Sequence, residues 1–286
     1  MFKELAEVWR FRELLINLVV RDMRVRYKNS ALGFLWSFII PLSQAAILTF
    51  VFKYIMQFKV PNYSAYLLCA ILPFTFFNQS VLEASNSILG HSALVKKTYF
   101  PREIIPAAVV ISNFIHFFFA MVVFLAYLLF LRFVLFRSGH PLVLATWGLL
   151  PVVMLINLML NMGVALFLTS LNTFYEDVKY ITMVGLNMLF YALPILYPYE
   201  LAVGVPHHRL GWLMNIHFNL NPLSYLLFAY RKILLEPMAG EVGGTAVKNM
   251  PLNYGLLALA AFTSLLVFMA GYSYFNKRKW NFAERV

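Results

Sequence analysis

The chain of 286 residues holds one cysteine, Cys69. That excludes an internal disulfide and any metal centre built on several thiolates. Within an apolar run, Cys69 reads as a small hydrophobe. Aspartate is almost missing as well, Asp22 and Asp177 being the only examples, so no Asp-x-Asp metal motif can form. There is no GxxxxGK[ST] phosphate loop, no HExxH, no cysteine–histidine zinc pattern and nothing like a TVGYG ion filter. The sequence therefore predicts no covalent chemistry, no catalytic residue, no metal and no cofactor held by this chain. Uphill movement would draw its energy from a partner or an ion gradient. Charge is scarce too: 12% of residues are charged, where a soluble domain carries about 25%. With 62% hydrophobic and 17% aromatic residues and a mean hydropathy of +0.74, the expectation is a polytopic membrane protein. No cleavable signal peptide is expected, because the early apolar core at 14–20 runs into RDMRVR without a small-residue cleavage site.

The charge that is present is mostly positive, +11 net, and it is placed between apolar runs rather than on one soluble face, which argues against nucleic acid as a partner. Arg21, Arg24, Arg26 and Lys28 crowd around a single acid, Asp22. From Asn29 to Phe52 there is then no charged residue, a run of 24, and about 20 helical residues cross a bilayer. Cations at the start of a span hold that end in the cytoplasm, so the first span and its direction come from one stretch. Before it, Leu5, Val8, Trp9, Leu15, Ile16 and Val19 recur at helical spacing opposite Lys3, Glu4, Glu7, Arg10 and Asn17. Two readings stand for this helix: lying in the membrane interface against lipid, or packing in the cytoplasm on a partner.

Five further spans are expected at Tyr66 to Gly90, Ala107 to Leu131, Leu142 to Ser170, Tyr180 to Tyr197 and Leu252 to Phe275. With both termini inside, Lys and Arg number seven before the first span, three at 91–106, one at 171–179 and four in the tail, against eight outside. Six spans thus satisfy the positive-inside rule. The stretch 210–235 could be a seventh, but His217, Asn219, Asn221 and Pro222 interrupt it, and a mid-helix proline costs about 3 kcal/mol. Asn221-Pro222 reads better as a helix start, with Asn capping and Pro at the first position. The predicted fold is all-α: six transmembrane helices, an N-terminal amphipathic interfacial helix, and short re-entrant outer helices between spans five and six. Residues 1–286 form one membrane domain: 1–28 the cytoplasmic interfacial helix, 29–199 spans one to five, 200–250 an outer loop, and 251–286 span six with its tail.

Polar residues inside the spans mark candidate sites. Gln79, Glu83, Asn86 and Ser87 share about a third of one helix surface, and an intramembrane carboxylate faces protein or a water-filled path. Glu83 thus either lines a conduit or bonds a neighbouring helix. Ser112, Asn113 and His116, and Asn157 with Asn161, read as residues that join helices. Met183, Asn187 and Tyr191 form a stripe with Phe190, Tyr197 and Tyr199 nearby, which is either packing or a surface for sugar rings. The stretch SALVKKTYFPREIIP, 92–106, mixes apolar and charged groups as a protein-docking loop does, and Glu176 with Asp177 sits where acids favour a helix start.

The run LVVRDMRVRYKNSALGFLWSFIIPL resembles the N-terminal signature of ABC-2-type permeases that export cell-surface polymers: O-antigen, capsular polysaccharide and wall teichoic acid. VKKTYFPREIIP at 95–106 is similar to the family's segment between spans two and three. FYEDV at 174–178 resembles its FRDV-like turn, with Tyr175-Glu176 departing from the commoner basic residue. NPLSYLLFAYRKILL at 221–235 resembles its outer NP motif. The resemblance covers nearly the whole chain, and the first two matches are the specific ones. It implies a homodimer in the bacterial cytoplasmic membrane, bound to two copies of a separate cytoplasmic ABC ATPase that would hold ATP and Mg. Leu94, Lys96, Lys97, Tyr99, Phe100, Arg102 and Glu103 would seat the chain on that ATPase, with Glu176 and Asp177 near the junction. Spans one and five would line the conduit, with Phe34, Phe38, Glu83, Asn187, Tyr191 and Tyr197 in its wall, and 207–235, including Asn221 and Pro222, would form an outer gate. The expected substrate is an undecaprenyl-diphosphate-linked polymer. Arg21, Arg24 and Arg26 would hold its diphosphate bidentately, ordinary positive-inside anchoring being the alternative for each. Overall resemblance favours teichoic acid over O-antigen or capsular polysaccharide. The rivals are an ABC-2 exporter of drugs or lipids, and an ion-coupled carrier in which Glu83 and His116 titrate without an ATPase.

Overall fold

A computed structural model describes residues 7–28, 35–58, 62–131, 144–200, 211–235, 240–242, 245–247 and 250–285. A helical turn over 7–10 leads into α1, Arg12–Tyr27. Then come α2, Trp36–Thr49, which runs on as a π turn over Phe50–Ile55, and α3, Tyr63–Ser85. Two short helices, α4 at Ser87–Gly90 and α5 at Ser92–Lys97, precede the long α6, Ile104–Phe130. A 3₁₀ stretch, Leu144–Leu149, enters α7, Leu150–Phe174, and α8 follows at Asp177–Ala192. Next are α9, Gly211–Leu220, and α10, Pro222–Leu234, then a small antiparallel hairpin of β1, Gly240–Val242, and β2, Thr245–Val247. The chain closes with α11, Tyr254–Arg278, a 3₁₀ turn Lys279–Asn281, and α12, Phe282–Arg285.

Five stretches are helical, long and apolar enough to cross a membrane: Phe38–Ile55, Tyr63–Ser85, Ile104–Phe130, Thr146–Phe174 and Tyr254–Asn281. They match five of the six expected spans. The remaining one differs. Expected over 180–197, its helix α8 has 16 residues, about 24 Å of helix against a hydrocarbon core of about 30 Å. Its end has a local cause. Leu193 precedes Pro194 and is extended, with ψ 154°, because the proline ring excludes the α conformation from the residue before it.

Helix α3 is the centre of the bundle. Leu67, Leu68, Cys69, Ala70 and Ile71 are all at most 1% exposed, the burial of Cys69 being that of the small hydrophobe it was read as. In a membrane, apolar burial against lipid gives little drive, so close packing and interhelical hydrogen bonds hold helices together. The tightest pair is α7 with α11, where Gly163 and Gly271 face each other so closely that a Cβ at Gly271 would lie 2.1 Å from the Gly163 carbonyl oxygen. At the ends of α3 and α7, Thr169 Oγ1 donates to the Ala84 carbonyl at 2.8 Å and Asn172 Nδ2 to the Ser85 carbonyl at 3.0 Å. Helix α10 begins as its sequence predicts: Asn221 accepts from the Leu223 N–H at 3.1 Å and Pro222 occupies the first turn.

One end of the bundle gathers the segments counted as inside. Leu18 and Val19 of α1 join Val95, Phe100, Ile104, Tyr272, Phe275 and Phe282 in a hydrophobic cluster separate from the main core. Phe282 stacks edge-on to Phe275 at 5.2 Å and lies 5.9 Å from Phe174. Of the apolar stripe expected on α1, Trp9 and Ile16 point outward, 72% and 56% exposed.

Candidate functional site

Between α2, α3 and α6, over the end of α1, lies a cleft of about 370 Å³. Arg26 closes its floor. Its Nη2 donates to Glu83 Oε2 at 2.7 Å and its Nη1 to Asn113 Oδ1 at 2.9 Å. Asn113 Nδ2 also donates to Glu83 Oε2, at 2.8 Å. The three residues come from three helices, and each needs the others. A carboxylate in a charge-free run requires a cation, and the one that reaches it is the last arginine of the basic cluster. Gln79, Thr75 and His116 line the walls with Trp36 and Gln44 of α2. Gln44, Thr75 and Gln79 also line a second cleft of about 310 Å³ with Asn78 of α3 and Asn187 and Tyr191 of α8. The two clefts therefore share a wall and form one polar track along α3, bordered by α2 and α8. Both bordering helices are open on the outside. Helix α8 buries only Thr182 and Leu186, and Ile40, Ile47 and Phe50 on α2 are more than half exposed.

A second feature lies at the α1 end. The segment 92–103 presents Lys96, Lys97 and Tyr99 to solvent, with Tyr99 at 76% exposure and Leu94 half-buried. Phe100 and Glu103 turn the other way and are buried. Lys279 Nζ lies 3.2 Å from Glu103 Oε1, both side chains enclosed, and Arg102 Nη1 donates to the carbonyls of Lys279 and Trp280. Burial lowers the Arg102 pKa below its ordinary value. Glu176, Asp177 and Tyr175 are exposed on the neighbouring turn.

At the opposite end, Arg231 of α10 is 5% exposed. Its guanidinium donates to the Pro194 and Ile195 carbonyls at 2.5 and 2.6 Å and lies 3.7 Å over the Tyr66 ring. Beside it Lys232 pairs with buried Glu200 at 2.6 Å. These contacts fasten the unwound end of α8 to α10.

Residues 13–235 match the family described as ABC-2 type transporter. The chain belongs to that family. It is 30% identical over 273 residues to the O-antigen export system permease protein RfbA of Klebsiella pneumoniae, which spans 95% of this chain and 94% of that one. With RfbA of Myxococcus xanthus the identity is 29% over 286 residues, the full length of both. The polysialic acid transport protein KpsM of Escherichia coli is 21% identical over 254 residues, 88% of each chain.

On this ABC-2 chain the residues singled out from sequence fall into distinct places. Glu83, Asn187 and Tyr191 line the two clefts. Phe38 does not: it is 8% exposed and packs 6.4 Å from Tyr127. Tyr197 is half-buried against Phe218 and donates to the Ala192 carbonyl, and Phe34 lies outside the described residues. Arg26 is committed to Glu83. Arg21 is bonded to Asp22 at 2.7 Å and approaches His91 Nε2 at 2.5 Å. Arg24 alone of the three is exposed with no hydrogen bond or ion pair to another described residue. Among the residues expected to join helices, Asn113 does so and Ser112 reaches the Val19 carbonyl at 3.5 Å. Asn157 and Asn161 are both fully buried, and neither amide has a hydrogen-bond partner among the described residues. Sequence reasoning missed Arg231, Lys232 and Glu200, whose burial has no local signal. It also missed the Glu103–Lys279 pair, 176 residues apart.

Proposed function

We propose that this chain is the membrane subunit of an ATP-driven exporter that moves an undecaprenyl-diphosphate-linked surface polysaccharide from the cytoplasm to the outer face. The carrying observation is full-length similarity to a permease named for O-antigen export, RfbA of M. xanthus. KpsM, named for polysialic acid, points to the same polymer class. The relatives reported above are named for O-antigen and polysialic acid, so an O-antigen-type glycan is the preferred cargo and teichoic acid the alternative.

The working unit in this proposal is a homodimer bound to two copies of a separate ATPase, which carries the ATP and Mg. The open faces of α2 and α8 support the dimer. Gln44 and Asn187 beside those faces would be unsatisfied in hydrocarbon, while a two-fold related copy would enclose them. The six-span topology is kept, with α8 and 193–197 as the fifth crossing, α9 and α10 as re-entrant outer helices and gate, and both termini in the cytoplasm. Lys96, Lys97, Tyr99, Glu176 and Asp177 then present the ATPase-docking surface, and Phe100, Arg102 and Glu103 brace it from behind. Arg24, exposed on α1, is the diphosphate contact in this proposal, with Arg21 able to join it.

The test is depletion of the chain in its host. Accumulation of lipid-linked glycan on the cytoplasmic side, with a stoichiometric ATPase in the affinity-purified complex, is the expected outcome. Unchanged surface glycan together with a chain that purifies alone would refute the proposal and favour the ion-coupled carrier.

A further inference from the structure

We infer that the cleft above Arg26 is a subsite for an uncharged, hydroxyl-rich sugar ring, and that it does not take the phosphate of the same substrate. The inference rests on the export reading and adds a division of labour to it. Charge comes first. Arg26 is the cation on the cleft floor, and both of its terminal nitrogens are engaged, one by Glu83 and one by Asn113. An entering phosphate would have to break a 2.7 Å ion pair and then sit beside the released carboxylate. Like charges at that separation repel. The cleft is thus closed to anions although it contains an arginine.

The unengaged groups describe what fits instead. Glu83 Oε1 accepts no hydrogen bond from any described residue, while Oε2 takes two. The Glu83 side chain is 45% exposed, toward the cleft. The carboxamides of Gln44 and Gln79 line the same cleft, and neither bonds to another described residue. Each amide offers two donors and an acceptor. An acyl chain in this space would leave all of them unpaired, which is costly for each group it buries. Hydroxyls, which donate and accept together, satisfy them. Trp36, 47% exposed, supplies an aromatic wall whose electron-rich face attracts the polarised C–H bonds of a pyranose. The volume of about 370 Å³ lies within the range of small-molecule pockets. A carboxylate oxygen, two amides and an indole around a neutral interior make a sugar site.

The experiment uses the full chain purified with its ATPase in detergent, probed by saturation-transfer NMR. The probes are mannose, galactose, N-acetylglucosamine and inorganic pyrophosphate. Ring protons of at least one monosaccharide should be saturated, and pyrophosphate should not compete. Gln79→Leu should weaken the sugar about tenfold, the equivalent of about 1.4 kcal/mol. Trp36→Ala should abolish the signal and Trp36→Phe should keep it, so that Gln79→Leu and Trp36→Phe carry the test if Trp36→Ala fails to fold. Displacement of the sugar by pyrophosphate, or a signal unchanged in both Gln79→Leu and Trp36→Ala, overturns the inference. Depletion separates the two levels. If lipid-linked glycan accumulates but the sugar signal ignores both substitutions, only this inference fails. If the sugar signal depends on Trp36 and Gln79 but nothing accumulates, the export reading fails and the sugar site stands.

Discussion

Replacing Gly271 by alanine should be among the most damaging small changes available in this chain. A Cβ built there meets the Gly163 carbonyl oxygen at 2.1 Å and its carbonyl carbon at 2.9 Å. Ordinary contact begins at 3.4 Å, so 3.4 less 2.1 leaves about 1.3 Å to be made up. Because the obstacle is backbone, no rotamer change relieves it, and α7 and α11 must separate along their contact. Overpacking typically costs about 1–3 kcal/mol, and a rigid clash of this size belongs at the top of that range. Gly163→Ala meets Phe268 Cα at 2.6 Å and should cost less, about 1–2 kcal/mol. Gly185, exposed on α8, has nothing within 4 Å. Alanine there should be neutral, or stabilising by up to about 1 kcal/mol through helix propensity. The assay is the temperature at which half of the detergent-solubilised protein remains monodisperse after heating. The predicted order is Gly271→Ala lowest, then Gly163→Ala, with Gly185→Ala at or above the parent. Equal midpoints for Gly271→Ala and Gly185→Ala would refute the close-contact account of this helix pair.

Three further outcomes concern charged side chains. Arg231→Met removes two charge-assisted hydrogen bonds worth about 1.5–3 kcal/mol each, so amide exchange at 193–197 should quicken by about a hundredfold or more. Arg231→Lys, which keeps the charge without the planar fork, should also speed it, and protection equal to the parent in both variants would remove the latch. Arg26→Gln strands Glu83 and should lower the yield of folded protein, with recovery in the Arg26→Gln/Glu83→Gln double variant; Arg24→Gln should fold normally and lose export, and identical behaviour of the two arginine variants would contradict their assignment. Glu103→Gln leaves Lys279 buried without its partner, a loss of about 3–5 kcal/mol for enclosed pairs. Thermal stability of Glu103→Gln within about 0.5 kcal/mol of the parent would show that the pair is hydrated.

Much of the fold was legible because the bilayer imposes length and charge rules that a sequence displays directly. Five apolar stretches became membrane-length helices, and the Asn221-Pro222 helix start is present atom for atom. The misjudged boundary, α8, has a readable cause in Leu193-Pro194, which the apolar run over 180–197 conceals. Site residues were legible where helix periodicity fixes direction, as for Gln79 and Glu83 on α3. They were illegible where a partner is distant in sequence. The spacing of Arg21, Arg24 and Arg26 gives three equal cations, but the fold separates them into one ion-paired on the cleft floor, one held by Asp22 and His91, and one exposed. Within 92–106, Lys96, Lys97 and Tyr99 are exposed groups. Phe100 and Glu103 belong to the support beneath, because the C-terminal tail supplies Lys279 and Phe282 against them.

Those same contacts bear on how movement could pass through the molecule. The exposed segment at 92–99 is continuous with Arg102 and Glu103, which are clamped to the tail of α11. His91, at the junction of α4 and α5, donates through Nδ1 to the Ser87 carbonyl at 2.7 Å, which leaves Nε2 as acceptor for Arg21. Helix α1 then carries Arg21 and Arg26 on one rigid body, and Arg26 ends on Glu83 at the cleft floor. In the proposed exporter, a push from the ATPase on 92–99 would be resisted by the Glu103–Lys279 pair and would pass through α1 to the carboxylate of the cleft. Helix α8 differs: few buried side chains along its length, an exposed first turn at Glu176 and Asp177, and a far end held to α10 by Arg231. In the exporter proposed above, a force from the ATPase would therefore move the sparsely buried α8 more readily than the fully enclosed α3.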